Sequence, residues 1–305
     1  MKMKIVILSR GPQLYSTQSL LRAGMRRGHQ IRIIDHVLCD FMIEKGQMSV
    51  YHNGFLIDQP DAIIPRIGSS VTAKGAAVIS QFEAMNRITT VRSMALLQAR
   101  DKLRSLQKLA SCGIGIPATA YLNDTENIRT IIDRLGGLPV VIKLLESTHG
   151  IGVILAESFK SAESTVEAFQ KLKERVIIQE FIEEAKGADI RALVVAGEVV
   201  AAMKRQAQAG EFRSNLHRGA SSTPVKLTAQ EKEVVLRSTK IMGLDIAGVD
   251  ILRSSRGPLI MEINASPGLE GIETTTRIDV SSKIIHYLEK RFRFQQDQIK
   301  SNKIR

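Results

Sequence analysis

Two apolar strands joined by a short polar link constrain the fold of this chain more than any other stretch. Residues 248–252 and 259–264 are rich in aliphatic and β-branched side chains. The link, residues 253–258, contains serine, arginine, glycine and proline, which favour turns. We therefore predict a β-hairpin in this part of the chain.

The predicted hairpin carries acidic and amide side chains inside apolar sequence. Because side chains alternate across a strand, Glu262 and Asn264 are expected on one face and Ile263 on the other, with Asp250 on the partner strand. A buried carboxylate needs a partner, and oxygen ligands suit a hard cation such as Mg²⁺ together with nucleotide phosphates. The alternative is a surface hairpin with solvated acids.

The composition limits the class of protein. A chain of 305 residues with 44% hydrophobic residues suggests two domains, or three small ones. It has no apolar run of about 18 residues, so we expect no membrane span. The two cysteines, Cys39 and Cys112, have no metal-site spacing and suggest a cytoplasmic protein with free thiols.

The net charge of +12 fits nucleic acid, a membrane surface or an acidic substrate as partner. Tryptophan is absent and aromatic residues make up 4%, which weakens a role in stacking single-stranded nucleic acid. Several of the basic residues follow Glu289, where we expect a final helix from Val280 to Arg291 and then a solvated end.

The first 97 residues alternate strand and helix patterns, which predicts a small parallel sheet. Strands are expected at 4–8 and 30–34, and Asn53-Gly54 is a strong signal for a two-residue turn. The loop after the first strand is neither a dinucleotide-binding glycine motif nor a P-loop. Arg66 leaves a strand end, where α/β sheets tend to bind ligands, although a surface arginine explains it equally well.

The leucine spacing predicts one helix from Ala95 to Ala110, with Lys102 inside it. Lys143 is the one charge on a predicted strand at 138–145, and a buried lysine needs an anion. The glycine-bearing loop at 146–153 can offer backbone N–H groups to phosphates. A hairpin turn explains the loop equally well, and a solvated position explains Lys102.

The second half of the chain contains a strand that ends in acids at 176–184 and a strand with alternating charges from 187. Asp189 and Arg191 are expected on one face of the latter, either as a salt bridge on an edge strand or as nucleotide contacts. Arg205 is predicted to end the next strand, and residues 212–220 are rich in hydrogen-bond donors that suit an anion. Thr228 has capping-box spacing before a helix that is expected to reach Met242.

These motifs resemble a known family. Asp250, then 262–264 and 266–268, are similar to the metal-binding end of the ATP-grasp ligases, and the longer run 261–273 resembles the RimK branch, as does 65–68. The resemblance covers most of the chain from about Arg66. It implies an α/β protein (α+β subdomains) with an N-terminal βαβ pre-ATP-grasp domain (1–97) and a two-subdomain ATP-grasp fold (98–182 and 183–305).

The resemblance also implies roles for individual residues. Arg205 and Arg191 are the expected catalytic residues, and Asp250, Glu262 and Asn264 the expected metal ligands. The ATP-binding residues that it implies are Lys102, Lys143, Gly150, Gly152, Glu180, Phe181, Asp189, Arg213, Ser214 and Asn215. Glu183 is an alternative ribose contact. Lys204 departs from the pattern, because an acidic residue would be expected there in close relatives.

The function implied is a ligase that uses ATP and Mg²⁺, with two ions expected and Mn²⁺ as a substitute. The RimK branch adds L-glutamate to the C-terminal tail of a small-subunit ribosomal protein, through an acyl phosphate. We expect no membrane partner, no required nucleic acid, and a homo-oligomer. The alternatives are an ATP-grasp ligase for a cofactor or amino-group carrier, and a non-catalytic basic protein that binds RNA or the ribosome.

Overall fold

The computed structural model describes residues 2–122, 125–145 and 152–303. Its N-terminal unit alternates strands and helices, as the sequence predicts. In chain order it contains β1 (Lys4–Leu8), α1 (Tyr15–Arg26), β2 (Gln30–Ile34), β3 (Cys39–Glu44), β4 (Gln47–His52), β5 (Phe55–Leu56), β6 (Ala62–Pro65), α2 (Thr72–Ala84) and β7 (Ile88–Thr89).

The parallel sheet of this unit has the order β2-β1-β6-β7, which confirms the prediction. Both faces of the inner strand β1 are buried, because Val6 and Leu8 pack on one side and Ile5 and Ile7 on the other. The separate hairpin β4–β5 turns at Asn53 and Gly54, both with positive φ, as a two-residue turn requires.

The next part of the chain holds two helices and an antiparallel sheet. It contains α3 (Ser93–Arg100), α4 (Lys102–Ser111), β8 (Thr119–Tyr121), α5 (Ile128–Arg134), β9 (Val140–Leu144), β10 (Val153–Ala156), α6 (Phe159–Lys171) and β11 (Val176–Glu180). The strand order is β10-β9-β11-β8. Apolar residues of β9 and β11 pack with those of α5 and α6 in a core of their own.

The prediction of one continuous helix from Ala95 to Ala110 is wrong. The helix stops at Arg100, and Asp101 takes an extended backbone conformation as the N-cap of α4. Its side chain accepts a hydrogen bond from the backbone N–H of Arg104 at 3.0 Å. The spacing of the leucines is the same on both sides of the break and therefore does not reveal it. Asp101 does reveal it, because a capping carboxylate favours the start of a new helix.

The C-terminal unit is built on a five-stranded antiparallel sheet of order β14-β13-β12-β15-β16. It contains β12 (Ala188–Val195), β13 (Glu198–Gln206), β14 (Ser221–Pro224), α7 (Ala229–Met242), β15 (Ile246–Ser254), β16 (Gly257–Asn264), α8 (Glu270–Thr276) and α9 (Val280–Lys303). The predicted hairpin is confirmed, with its turn at Ser255 and Arg256 rather than across the whole polar link.

Two other predictions in this unit have different outcomes. The capping box of Thr228 and Glu231 is present at the start of α7, which ends at Met242 as predicted. The final helix, by contrast, continues past Arg291 to Lys303. Its last turns are rich in glutamine and lysine, which have good helix propensity, so the basic tail extends the helix.

The N-terminal and C-terminal units share their apolar cores. One face of the parallel sheet packs against α9 through Ile284 and Leu288, and the same cluster includes Leu193 and Met203 of the C-terminal sheet. Arg66, which follows β6 at the carboxyl end of the parallel sheet, contacts Pro267 of the C-terminal unit shortly after β16. Within the described residues, none of the helices is long and apolar enough to cross a membrane.

Candidate active site

The hairpin β15–β16 brings two of the predicted metal ligands directly opposite each other. Asp250 pairs with Glu262 in the strand register, and the register shifts just after Asp250. Glu262 is exposed, Ile263 is buried and Asn264 is partly buried, so the side chains alternate as predicted. The Asn264 Oδ1 atom accepts a hydrogen bond from the backbone N–H of Ser266 at 2.9 Å.

Asp250 is buried, with 2% of its surface exposed, and its cationic partners in the structure are arginines. Arg191 lies opposite it on β12 and donates to both carboxylate oxygens, at 2.7 and 2.6 Å. Arg205 donates to it at 2.9 Å. Burial alone would raise the pKa of Asp250, but the two arginines lower it to about 2.

Arg205 is fixed between two carboxylates. Besides Asp250, it contacts Asp189 on the neighbouring strand through two hydrogen bonds of 2.7 and 2.5 Å. Burial opposes its charge, but Asp250 and Asp189 raise its pKa further above the ordinary value. The Ser214 hydroxyl donates to Asp189 at 2.6 Å. We call Asp189, Arg191, Arg205 and Asp250 the arginine–aspartate cluster; its two positive and two negative charges balance.

A second group of charged side chains lies near Glu262. The Lys143 Nζ atom donates to Gln179 Oε1 at 2.5 Å, and burial lowers its pKa to about 8 although the charge of Glu262 opposes this. Lys102 donates to the backbone carbonyls of residues 144 and 145, both at 3.1 Å. Burial also lowers the pKa of Lys102, again opposed by Glu262. Glu262 therefore lies among cations that suit phosphate oxygens.

The helix start at Asp101 explains the position of Lys102. As the first residue of α4, Lys102 reaches from the helix N-terminus to the end of β9. Sequence reasoning did not find Gln179, the partner of Lys143. Gln179 is a polar residue after three apolar residues of β11, two positions along from the residue that pairs with Lys143, and such diagonal neighbours interact in sheets.

The predicted adenine side of the site is built around an aromatic pair. Phe181 and Phe212 meet edge to face, with ring centroids 6.4 Å apart. Arg213 stacks its guanidinium over the Phe212 ring at 5.5 Å and donates to Glu211 at 2.9 and 2.7 Å. Such a pair offers a flat apolar wall, which small-molecule sites commonly use.

The remaining predicted residues are spread around this wall. Glu180 accepts from the backbone N–H of Ala118 at 2.6 Å and also binds Arg256, so its carboxylate already has two partners. Asn215 precedes a short 3-10 helix, and Glu183 opens another. Gly152, directly before β10, has positive φ. Gly150 lies outside the described residues.

The oxygen atoms of Asp250, Glu262 and Asn264 fit a hard divalent cation. In the described part of the chain, no group of three or more His, Cys, Asp or Glu side chains is placed to hold a metal ion. The candidate set therefore consists of two carboxylates and an amide. Mg²⁺ is typically bound by one or two carboxylates together with nucleotide phosphates, and the neighbouring lysines suit those phosphates.

A wide groove of about 1230 Å³ lies elsewhere, between α9, the α2–α3 segment and the turn that joins β12 to β13. Its walls include Arg92, Met94, Lys290 and Phe294, and none of the predicted site residues. The groove thus lies at the opposite end of the β12–β13 hairpin from Asp189 and Arg205.

Comparison with family models identifies the relatives of this chain. The model of the RimK-like ATP-grasp domain matches residues 99–288, and that of the RimK PreATP-grasp domain matches residues 3–96. The chain belongs to the RimK-like ATP-grasp family. This confirms the family, the fold and the enzyme class predicted from the sequence, an ATP-dependent ligase.

Curated members of the RimK-like family are similar over nearly the whole chain. A probable alpha-L-glutamate ligase of Syntrophotalea carbinolica is 56% identical over 288 residues, which cover 94% of this chain and 96% of the relative. A probable alpha-L-glutamate ligase 1 of Hahella chejuensis is 52% identical over 289 residues, 95% of each chain.

Solved structures of ATP-grasp proteins share the fold. The ATP-grasp ligase PsnB, in a complex with a minimal precursor, Mg and ADP, superimposes with a TM-score of 0.75 at 19% identity, over 95% of this chain and 98% of PsnB. A RimK domain protein from Sphaerobacter thermophilus superimposes with a TM-score of 0.69 at 19% identity, over 93% of this chain and 99% of that one.

Proposed function

We propose that this chain joins L-glutamate, through an amide bond, to the C-terminal glutamate of a small-subunit ribosomal protein, with release of ADP and phosphate. The glutamate substrate is supported by the names of relatives at 52–56% identity. The observation that carries the proposal is the register of β15 and β16, which sets Asp250 opposite Glu262 beside Lys102 and Lys143. The ribosomal acceptor follows from the resemblance of residues 261–273 to the RimK branch.

The proposed reaction has two steps. A carboxylate oxygen of the acceptor attacks the γ-phosphorus of ATP, and the bond between that phosphorus and the β-γ bridging oxygen breaks. ADP departs, and the acceptor carries an acyl phosphate. The neutral amine of glutamate then attacks the acyl carbon, and the carbon–oxygen bond to phosphate breaks. The glutamate ammonium loses one proton before attack and a second as the amide forms.

The residues around Glu262 have distinct roles in this scheme. Lys143 and Lys102 bind phosphate oxygens, while Arg205 and Arg191 hold Asp250 in place and offset charge on the moving phosphoryl group. Mg²⁺ bound by Asp250, Glu262 and Asn264 would neutralise phosphate charge. We propose two such ions, with Mn²⁺ as a substitute, which an activity titration with each metal tests.

The nucleotide base has a proposed place against the aromatic pair. Phe181 and Phe212 provide the apolar wall, and Arg213, Ser214 and Asn215 supply polar contacts nearby. Glu180 accepts its hydrogen bonds from Ala118 and Arg256 on Oε1, and its Oε2 atom is the proposed acceptor for a ribose hydroxyl. Gly152, directly before β10, belongs to the loop proposed to cover the phosphates.

The acceptor is the least constrained part of the proposal. L-glutamate and a glutamate-ended polypeptide are both acidic, which agrees with the net charge of +12. A cofactor or an amino-group carrier with a terminal glutamate offers the same reactive group and is the second candidate. A panel of acceptors separates these candidates, and light scattering tests the proposed homo-oligomer.

The decisive experiment is ADP release with ATP, Mg²⁺ and L-glutamate, with and without a peptide that ends in glutamate. Glu262→Ala and Asn264→Ala remove predicted metal ligands, and Glu167→Ala on the exposed face of α6 is the matched control. We expect turnover that requires glutamate, persists in the control and disappears in the two variants. A mass gain of one glutamyl residue on the peptide identifies the product.

Two results would contradict the proposal in different ways. Glutamate-dependent turnover that no glutamate-ended polypeptide accepts would refute the ribosomal acceptor and favour a small-molecule acceptor. The absence of ADP release with every acceptor, together with RNA binding that weakens steeply with salt, would refute the glutamate ligase proposal and favour the non-catalytic alternative.

A further inference from the structure

Two arginines that the proposed reaction does not use lie together where the N-terminal and C-terminal units meet. Arg66 follows β6 at the carboxyl end of the parallel sheet, and its Nη2 atom donates to the backbone carbonyl of Pro267 at 2.7 Å. Arg100 ends α3, and its Nη2 atom donates to the backbone carbonyl of Ile67 at 2.5 Å. The Arg100 guanidinium is therefore anchored to the residue that follows Arg66.

The two guanidinium groups have more N–H donors than the protein offers them acceptors. Neither forms an ion pair within the described ranges, although each carries a full charge and five N–H donors. The Nε atom of Arg100 is buried and has no hydrogen-bond partner. Burial lowers the pKa of Arg66 to about 10, and the nearby charge of Arg100 adds to this.

The pair lies beside the site already described. The charge of Glu262 acts on Arg100 and also on Lys102 and Lys143. The backbone carbonyl that Arg66 contacts belongs to the loop after Asn264. A group bound by the arginines would therefore lie next to the phosphoryl-transfer centre, on the side of the N-terminal unit.

Arg66 and Arg100 are partly buried. An unpaired cation that is partly removed from water is costly, and two adjacent ones repel each other. The planar guanidinium fork matches the geometry of a carboxylate, which it can bind through two hydrogen bonds. Both substrates of the proposed reaction are glutamyl groups, and each has a side-chain carboxylate that does not react.

We propose that Arg66 and Arg100 together bind the non-reacting side-chain carboxylate of a glutamyl substrate. That carboxylate belongs either to free L-glutamate or to the terminal glutamate of the acceptor, and it is recognised in the same way in both. The proposal rests on the proposed function and adds a specificity site to it. It accounts for the placement of two unpaired arginines beside a reaction that lysines and the arginine–aspartate cluster already serve.

The test compares each substrate with its amide. Initial rates are measured for the wild type and for Arg66→Met, Arg100→Met, Arg66→Lys and Arg100→Lys, with L-glutamate or L-glutamine as the amine. A second series uses peptides that end in glutamate or glutamine, and a third varies ATP. Arg32→Met, at an exposed arginine on β2, is the matched control.

We expect the wild type to prefer one carboxylate substrate over its amide by at least tenfold, since a site built to bind a polar group rejects the analogue that lacks it. The methionine variants should lose most of that preference. Their KM for the same substrate should rise about tenfold or more, while their KM for ATP should change less than twofold. In the control variant Arg32→Met, KM for every substrate should change less than twofold. The series in which the preference is lost identifies the source of the carboxylate.

Four outcomes would overturn the proposal. Equal use of glutamate and glutamine in both series by the wild type would show that no such site exists. A parallel rise in KM for ATP would assign the arginines to phosphate binding. An unchanged preference in the folded methionine variants would show that the arginines are structural. Where a methionine variant fails to fold, the same result with Arg66→Lys or Arg100→Lys leads to the same conclusion. Wild-type turnover distinguishes these results from failure of the proposed function, because its complete absence would refute both proposals.

Discussion

Replacing Lys143 with methionine should stabilise the ligand-free protein while removing its response to nucleotide. Lys143 lies on β9, partly buried, with Gln179 as its hydrogen-bond partner at 2.5 Å. Burial lowers its pKa from the ordinary value of 10.5 to about 8. The folded protein therefore holds a charged lysine in an unfavourable place at neutral pH, where a phosphate would offset its charge.

The size of the effect follows from the pKa. A lowering from 10.5 to about 8 corresponds to about 3 kcal/mol against the charged form in the folded state. Water reaches the partly exposed side chain and reduces this value. Methionine also leaves the Gln179 carbonyl oxygen without its donor, which costs about 1 kcal/mol. We expect a net gain of about 1–2 kcal/mol in the free energy of unfolding.

Urea unfolding followed by circular dichroism measures this gain, and its pH dependence supplies a sharper test. Below about pH 8 Lys143 is protonated in both states, so the variant should have its full advantage. Between about pH 8 and 10.5 the unfolded chain binds more protons at this site than the folded one, so wild-type stability should rise relative to the variant. The advantage of methionine should therefore shrink as the pH is raised.

Nucleotide should act in the opposite direction. A ligand at 100 times its dissociation constant stabilises the wild type by about 2.7 kcal/mol, and Lys143→Met should lose most of that shift. Lys204→Met replaces an exposed strand lysine and should change neither quantity. The reasoning would be refuted if ligand-free Lys143→Met were less stable than the wild type at pH 7, or if its advantage did not depend on pH.

Other substitutions test the rest of the site. Asp250→Ala leaves the partly buried Arg191 without its carboxylate and the buried Arg205 with Asp189 alone, and it should lower the free energy of unfolding by about 3–5 kcal/mol; a loss below 1 kcal/mol in urea would contradict the buried pairing. Glu262→Gln at an exposed position should change stability by less than about 0.5 kcal/mol and abolish Mg²⁺-dependent ADP release; retained activity would remove Glu262 from the metal site. Asp101→Ala should cost about 1 kcal/mol through the lost N-cap and raise KM for ATP by displacing Lys102; an unchanged KM would show that the cap does not position the lysine.

Local patterns in the sequence predicted the elements that local forces determine. The β15–β16 hairpin, the capping box at Thr228 and the turn at Asn53-Gly54 follow from side-chain alternation and backbone preferences over a few residues. The single helix predicted from Ala95 to Ala110 failed because apolar spacing is insensitive to a one-residue break. At Asp101 the capping signal was present but was outweighed by the leucines.

Long-range pairing could not be predicted in the same way. The sequence showed that Asp250 needs a cationic partner, but not which one, because the order of strands in the sheet is not a local property. Only the placement of β12 between β13 and β15 brings Arg191 opposite Asp250 and Arg205 opposite Asp189. The unpaired position of Arg100 depends on the same assembly of units.

The arginine–aspartate cluster also determines which experiments can separate stability from function. Asp250 is held by arginines from two strands, so any substitution there changes both the proposed metal site and the balance of buried charge. Glu262 pairs with Asp250 on the neighbouring strand β16, yet Glu262 is exposed. A loss of activity at Glu262 without a loss of stability would therefore be evidence about chemistry, whereas the same loss at Asp250 would not distinguish chemistry from folding.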